Sequence, residues 1–365
     1  MIKKNKILIA AGGTGGHVFP AYSLANYLTK NNYNVKLITD NRGFNYLKDY
    51  KSLNITKISS SPLIKKNPLK FLFSITIILL SVFKSIFFLL FNRPSIIFGM
   101  GGYSSFPVCI AATILRIKFV IYENNLIIGR ANKFLLPFAK KIFVSYKSLE
   151  GISANYKNKI LEVGNIIREE IINLQIENNE NNLFDEIKIL VLGGSQAAKT
   201  FAEKLPKIFK KLKTSEIPVK VYQQCQKEQT NDLTEFYKKA KIKCEIFNFT
   251  NKITDYYSKT NLVITRSGAS VLGELINVNI PFISVPLPTS ADNHQFKNAV
   301  YYEKKGFGYL VSENDINDQL FSLIKSIFEN KSLIKNILIN QRQYSDKNIF
   351  ININIHIQKI INEKN

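Results

Sequence analysis

Four times along the chain a short apolar run ends in a glycine-rich turn that opens a helical pattern. Residues 6–11 lead into Gly12-Gly13-Thr14-Gly15-Gly16-His17, with a helix predicted near 20–29. Residues 95–99 lead into Met100-Gly101-Gly102-Tyr103, with a helix after Pro107. Residues 188–192 lead into Gly193-Gly194-Ser195-Gln196 and a helix through about 205. Residues 262–265 lead into Arg266-Ser267-Gly268-Ala269 and a helix through about 276. Further apolar runs at 35–39, 119–122, 141–144, 219–223 and 281–285 read as strands. Continuous apolar strands alternating with helices leave little choice of fold, because a parallel sheet needs crossover helices on both faces. The expected class is α/β.

Residues 175–186 are polar and Asn-rich, and a strand–glycine turn–helix unit restarts directly after them. A boundary between about 164 and 186 follows. The expected division is an N-terminal domain over 1–165, a second domain over 166–345, and a terminal helix over 346–365 packing back on the body. Each large domain is expected to be a doubly wound sheet.

Composition narrows the function classes. There are 50 basic and 27 acidic residues among 365, a net charge of +23. That excess predicts attraction to something anionic. Much of it is Lys in a chain rich in Ile and Asn, residues with AT-rich codons, so charge alone is discounted as a functional signal. No basic–aromatic motif supports nucleic acid as a partner. Three cysteines, Cys109, Cys225 and Cys244, form no CxxC and no ligand spacing with histidine, which points to reduced thiols and no metal site. The apolar run after Lys6 is too short for a signal peptide and reads as a buried strand of a protein that is not exported.

Residues 71–91 are almost wholly apolar. As a helix they would be about 30 Å long, enough to cross a bilayer, and hydropathy alone permits insertion despite Lys84. Topology argues against a span, since the strand at 95–99 must join the sheet holding residues 6–11. A crossover helix with apolar surface to spare, docking on a membrane surface, is favoured over a true span or an internal core helix. Ser74, Ser81 and Ser85 share one helical stripe, a weak polar seam. Lys65, Lys66, Lys70 and Lys84, with Phe71, Phe73, Phe87 and Phe88, are the expected docking residues. Near an anionic leaflet each lysine is worth about 1 kcal/mol.

Glycine turns between strand and helix offer backbone N–H groups and a positive helix end to an anion. Four of them favour a phosphate-bearing ligand. None reads G-x-G-x-x-G, which weakens a nicotinamide-binding dehydrogenase. Of three histidines, His17 sits at a strand's C-terminal turn, placed either as a general base or as a loop and capping residue. Glu274, on the helix after Arg266-Ser267-Gly268, reads as a ribose-diol acceptor or a solvated helical Glu. Asp292-Asn293-His294-Gln295 with Asn298 reads as a sugar-hydroxyl set or as a loop and helix cap.

Together these motifs resemble glycosyltransferase family 28, the two-domain inverting transferases of GT-B architecture that add N-acetylglucosamine to lipid I in peptidoglycan synthesis. The matching segments run in order from Gly12–His17 through Gly99–Tyr103, Glu123 with Asn125, Val163-Gly164-Asn165 with Arg168, and Gly193–Gln196. They continue through Arg266–Ala269 with Glu274 and Asp292–Gln295 with Asn298. The chain departs from the pattern at four places. Tyr122 stands where the family usually has His, Asn124 where it has Gln, Ile166 for an expected Pro, and Ala197 for an expected Gly.

The resemblance implies two Rossmann-like domains facing a central cleft, and the two-domain organisation leads to the expectation that the cleft closes on the donor. It implies UDP-N-acetylglucosamine as donor and lipid I as acceptor, with His17 as the base. Thr14, Gly15, Gly16, Asn125, Arg168, Ser195, Gln196, Phe249, Ile253, Arg266, Ala269, Glu274, His294 and Gln295 would contact the donor. Gly101, Gly102, Tyr103 and Glu123 would serve the acceptor. No metal or cofactor is expected, as there is no Asp-x-Asp motif. The enzyme would sit peripherally on the cytoplasmic face of the inner membrane, with cell-wall synthesis and division proteins as further partners. Rival readings are another GT-B enzyme, a UDP-sugar epimerase, and a non-catalytic nucleotide-sugar-binding adaptor.

Overall fold

A computed structural model describes residues 5–48, 50, 53–58, 68–174, 176, 185–250 and 252–363. The chain divides into two compact units. Unit 1 runs to Arg168 and takes back the chain from Asp346 on; unit 2 is Glu169–Ser345.

Unit 1 holds strands β1 (Lys6–Ala10), β2 (Asn34–Thr39), β3 (Asn54–Lys57), β4 (Ile96–Gly99), β5 (Phe119–Glu123), β6 (Lys141–Val144) and β7 (Ile160–Glu162). They form one parallel sheet in the order β3-β2-β1-β4-β5-β6-β7. Its central strands are buried on both faces, as the unbroken apolar runs require. The connecting helices are α1 (Gly15–Lys30), α2 (Asn41–Leu47), α3 (Pro68–Phe91), α4 (Ser105–Ile114) and α5 (Arg130–Leu135). On one face Leu8, Ile97, Phe119 and Ile142 pack with Val108, Ala111 and Ala112 of α4.

Unit 2 begins with α6 (Glu169–Ile172) and repeats the plan: β8 (Ile187–Leu192), α7 (Gly194–Thr214), β9 (Val219–Gln224), α8 (Thr230–Lys239), β10 (Lys243–Phe247), α9 (Ile253–Tyr257), β11 (Leu262–Thr265), α10 (Ala269–Asn277), β12 (Phe282–Ser284), α11 (His294–Lys304) and β13 (Tyr309–Leu310). Its parallel sheet has the order β10-β9-β8-β11-β12-β13. Helices α12 (Ile316–Glu329) and α13 (Lys331–Arg342) complete it. Helix α7 runs on through Pro206, past the expected end near 205, because Phe201, Leu205, Ile208, Phe209 and Leu212 all bury against the sheet.

The last helix, α14 (Ile349–Asn362), belongs to unit 1. Phe350 stacks on Tyr27 with ring centroids 5.1 Å apart, and Tyr33 Oη donates to Asn354 Oδ1 at 2.9 Å. Lys118 Nζ donates to the carbonyls of Ile360 and Glu363, placing a cation at the negative end of the helix.

Helix α3 is sorted against the usual rule. Its buried positions include Ser74, Ser81 and Ser85, while Leu72, Phe73, Leu79, Leu80, Phe83, Phe87 and Leu90 are exposed. The serines bond within the helix, Ser81 Oγ to Ile77 O and Ser85 Oγ to Ser81 O, both at 2.7 Å. Helix α3 packs on α4, with these small side chains buried and the bulky apolar ones facing outward. The polar seam is thus the inner face, and the alternative of a purely internal core helix does not hold. Phe88 is half-buried, packs on the core and lies under Lys36 Nζ at 5.8 Å. Lys84 is exposed among the outward phenylalanines. Lys65, Lys66 and the side chain of Lys70 lie outside the described residues.

Candidate active site

In unit 1 the chain steps outward from β1 in one direction and from β4 in the other. The turns leaving these neighbouring strands diverge, and open α/β sheets bind ligands at such a switch point. Helix α1 begins at Gly15, so His17 lies in its first helical turn rather than in the preceding loop. The His17 ring rests on the turn after β4. A Cβ on Gly101 would come within 3.2 Å of His17 Cε1, and one on Gly102 would meet the Gly12 carbonyl oxygen at 2.7 Å. Both glycines have left-handed φ, +83° and +76°. Glycine at both positions lets the two turns close on each other around the imidazole. Tyr103 beside them is exposed.

The first turn is less open to anions than its glycines suggest. The Gly13 amide donates to Asp40 Oδ1 at 3.2 Å, and the same buried oxygen accepts from Gly43 N at 2.8 Å, capping α2. A phosphate at Gly13 would have to displace this carboxylate. Thr14 is the extended N-cap of α1, and its side chain makes no cap bond. Asp40 was missed in the sequence, although an Asx residue at the end of an apolar strand is a helix-start signal.

Glu123 ends β5 and is buried. Its Oε1 accepts from Asn125 N (3.1 Å) and Asn125 Nδ2 (3.0 Å), and its Oε2 from Gly129 N and Asn132 Nδ2 (both 2.9 Å). The carboxylate organises its own loop and holds Asn125 and Asn132 in place. Asn124 Nδ2 reaches the Gly16 carbonyl at 3.5 Å, linking this loop to α1.

Tyr122 Oη is buried. It exchanges a hydrogen bond with Ser145 Oγ (3.0 Å), donates to Gly164 O (3.1 Å) and accepts from Ile166 N (2.9 Å). Burial pushes its phenol well above the usual value, so it stays protonated. Asn165 N donates to buried Asp346 Oδ1 at 3.1 Å. Gly164, with φ +99°, leaves room for that carboxylate. Arg168 lies over the Phe19 ring, 5.6 Å from its centroid and two residues along α1 from His17.

Unit 2 has its own switch point between β8 and β11. Ser195 and Gln196 fall in the first turn of α7, after Gly194 with φ +63°. The other turn is Arg266-Ser267-Gly268, with Ala269 opening α10. Ser267 Oγ is fully buried and has no hydrogen-bond partner. Asn298 Nδ2 donates to Ser267 O at 3.1 Å, fastening α11 to this turn.

Glu274 is not a solvated helical Glu: it is half-buried, and Tyr257 Oη donates to its Oε2 at 2.9 Å. Tyr257, on α9, was not singled out in the sequence, where nothing distinguishes it from a core aromatic. Phe249 is exposed. Ile253 is buried, which confines any contact with a base to its backbone. His294 Nδ1 lies 2.7 Å from Ala291 O, an arrangement suited to Nδ1–H donation that leaves Nε2 an acceptor. Asp292 and Asn293 adopt left-handed φ of +52° and +55° just before α11. Gln295 Oε1 accepts from Leu287 N at 2.9 Å.

Arg266 departs most from expectation. Its guanidinium is buried, donates from Nη1 to Val285 O (3.1 Å) and Pro286 O (3.3 Å), and pairs through Nη2 with Glu313. It is engaged by the protein itself and holds the 285–286 segment. Among the described residues no group of three or more His, Cys, Asp or Glu could hold a metal ion.

Two doubly wound parallel units, each with glycine turns at its switch point, define the GT-B class of nucleotide-sugar glycosyltransferases. Residues 7–144 match the glycosyltransferase family 28 N-terminal domain, and 188–348 match its C-terminal domain. The chain belongs to glycosyltransferase family 28. It is 36% identical to the UDP-N-acetylglucosamine–N-acetylmuramyl-(pentapeptide) pyrophosphoryl-undecaprenol N-acetylglucosamine transferase of Pelagibacter ubique, over 98% of this chain and 99% of that one. It is 35% identical to the enzyme of the same name from Rickettsia bellii, over 93% and 96%. The crystal structure of Acinetobacter baumannii MurG superposes with a TM-score of 0.77 at 25% identity, covering 98% of this chain and 99% of that one.

Proposed function

We propose that this chain transfers N-acetylglucosamine from UDP-N-acetylglucosamine to O4 of the N-acetylmuramoyl residue of lipid I, giving lipid II. The observation that carries the substrate pair is the 36% identity to the Pelagibacter ubique enzyme over nearly the whole of both chains. The 4-hydroxyl attacks C1 of N-acetylglucosamine as the C1–O bond to UDP breaks, with inversion. The hydroxyl proton passes to His17 as general base.

Unit 1 serves the acceptor and the base; unit 2 serves the donor. Glu274, aimed by Tyr257, takes the ribose hydroxyls, and Phe249 with the Ile253 backbone takes the uracil. Ser195, Gln196, Ala269 and the α7 and α10 N-termini offer donors for the charge that develops on UDP. His294 and Gln295 read the sugar. Tyr257→Phe removes the bond that aims Glu274 and is expected to weaken UDP binding about fivefold, roughly 1 kcal/mol. Calorimetric titration with UDP checks this, and unchanged affinity would remove Tyr257 from the account.

The outward apolar face of α3 docks on the cytoplasmic membrane surface, where the undecaprenyl chain resides. Large exposed apolar patches mark protein or membrane contact surfaces, and this one carries exposed Lys84 among its phenylalanines. Phe83→Ser is expected to lower binding to anionic phospholipid vesicles roughly tenfold or more, from the apolar area withdrawn. Vesicle flotation checks it; equal flotation of variant and wild type counts against docking through this face.

The test of the whole reading is UDP release from UDP-N-acetylglucosamine with and without a lipid I analogue. Acceptor-dependent release with a β-1,4-linked product is the expected result. Release without acceptor, or only with another glycolipid, overturns the substrate assignment.

A further inference from the structure

We propose that Glu313 is a positioning residue for the sugar end of the donor, acting through Arg266. The inference rests on the donor reading above. Glu313 lies in the loop between β13 and α12, far in sequence from every glycine turn. Its carboxylate pairs with Arg266 Nη2, and the two side chains are only 20% and 6% exposed. The other guanidinium nitrogen, Nη1, holds the carbonyls of Val285 and Pro286.

The next residue, Leu287, gives its N–H to Gln295 Oε1. Ser290 Oγ in the same connector accepts from Gln295 N at 3.4 Å, and Ala291 O faces His294 Nδ1. The segment from Val285 to Ala291 is therefore the base on which both proposed sugar-reading side chains are set. Arg266 grips its proximal end.

A buried guanidinium needs a matching anion to hold one geometry. Burial pulls the Arg266 pKa down, and Glu313 opposes that pull. Two contacts with α7 steady the pair: Lys204 Nζ donates to the Glu313 carbonyl oxygen at 3.0 Å, and the Arg266 guanidinium lies 4.6 Å from the Phe201 ring centroid. The chain of contacts thus runs from Glu313 through Arg266 and the Val285 and Pro286 carbonyls to Gln295. The uridine end hangs on a different support, the Tyr257–Glu274 bond.

This separation gives the test. UDP-N-acetylglucosamine and UDP are titrated calorimetrically into wild type, Glu313→Ala and Glu313→Gln, with circular dichroism confirming the fold. Glu313→Ala is expected to weaken UDP-N-acetylglucosamine roughly tenfold or more, and UDP less than about threefold. In turnover, KM for the donor should rise by a similar factor with kcat within about threefold. Glu313→Gln keeps an acceptor oxygen without the charge and should fall between. It carries the same comparison if the alanine variant does not fold.

Equal weakening of both ligands would mean a merely structural pair and would overturn the proposal, as would wild-type affinity for both. If wild type binds neither ligand, the donor reading fails first and the inference falls with it.

Discussion

Replacing His17 by Ala should lower acceptor-dependent transfer by about 10²–10⁴-fold while leaving UDP affinity unchanged. The size follows from losing a positioned general base. The specificity follows from placement, because His17 sits in unit 1 on the Gly101-Gly102 turn, whereas the proposed uridine contacts all belong to unit 2. Single-turnover rates and UDP titration on the same preparation check both halves. A His17→Ala enzyme with near-normal turnover would leave a different base as the better account. A second probe comes from the glycine under the ring: Gly101→Ala forces a Cβ to about contact distance of the imidazole at a left-handed φ, so it should displace the base without removing it.

Glu123→Ala should cost about 3–5 kcal/mol of stability, because four hydrogen-bond donors lose one buried carboxylate. The expected fall in melting temperature is about 6–20 °C for a unit of this size. Glu123→Gln is the sharper experiment. Each carboxylate oxygen accepts from two donors, so whichever way the amide turns, its NH2 meets two N–H groups. It should therefore be nearly as damaging as alanine, whereas an ordinary exposed Glu would tolerate it. Thermal unfolding of the two variants decides the matter, and a glutamine variant that melts with wild type would refute the four-donor account. The consequence reaches the proposed base, since Asn132 is held both by Glu123 and by the Tyr122 carbonyl and borders the turn that carries the His17 ring.

Much of this was legible in the residues, and the exceptions share physical causes. The strands read from apolar runs are the interior ones, β1, β2, β4, β5, β6, β8, β9, β11 and β12. Those not read, β3, β7, β10 and β13, are the four sheet edges. An edge strand is covered on fewer sides, so it needs no continuous apolar run; Lys243-Cys244-Glu245-Ile246-Phe247 shows the resulting mixture. The glycine turns announced where ligands would bind. They could not announce which of their amides the protein would occupy with its own carboxylate, as Asp40 does at Gly13. The internal engagement of Arg266 was not legible because its partner, Glu313, is 47 residues away and nothing local points to it. The inward serines of α3 were visible as a stripe, but only packing on α4 shows which side of that stripe faces the protein.

The Tyr122 hydroxyl has a consequence for how such a chain can change over time. It takes the N–H of Ile166, a group that the proline usual at that position would not possess. Two of the four departures from the family pattern are therefore halves of one contact, and neither is a free substitution. A proline introduced at 166 would leave the phenol short of a donor, and a histidine at 122 would abandon a buried amide, the Gly164 carbonyl and Ser145 together. A lineage passing between the two solutions has to cross a less stable intermediate or change both positions at once. Grafting the family's usual residues back singly should therefore harm this protein more than grafting the pair.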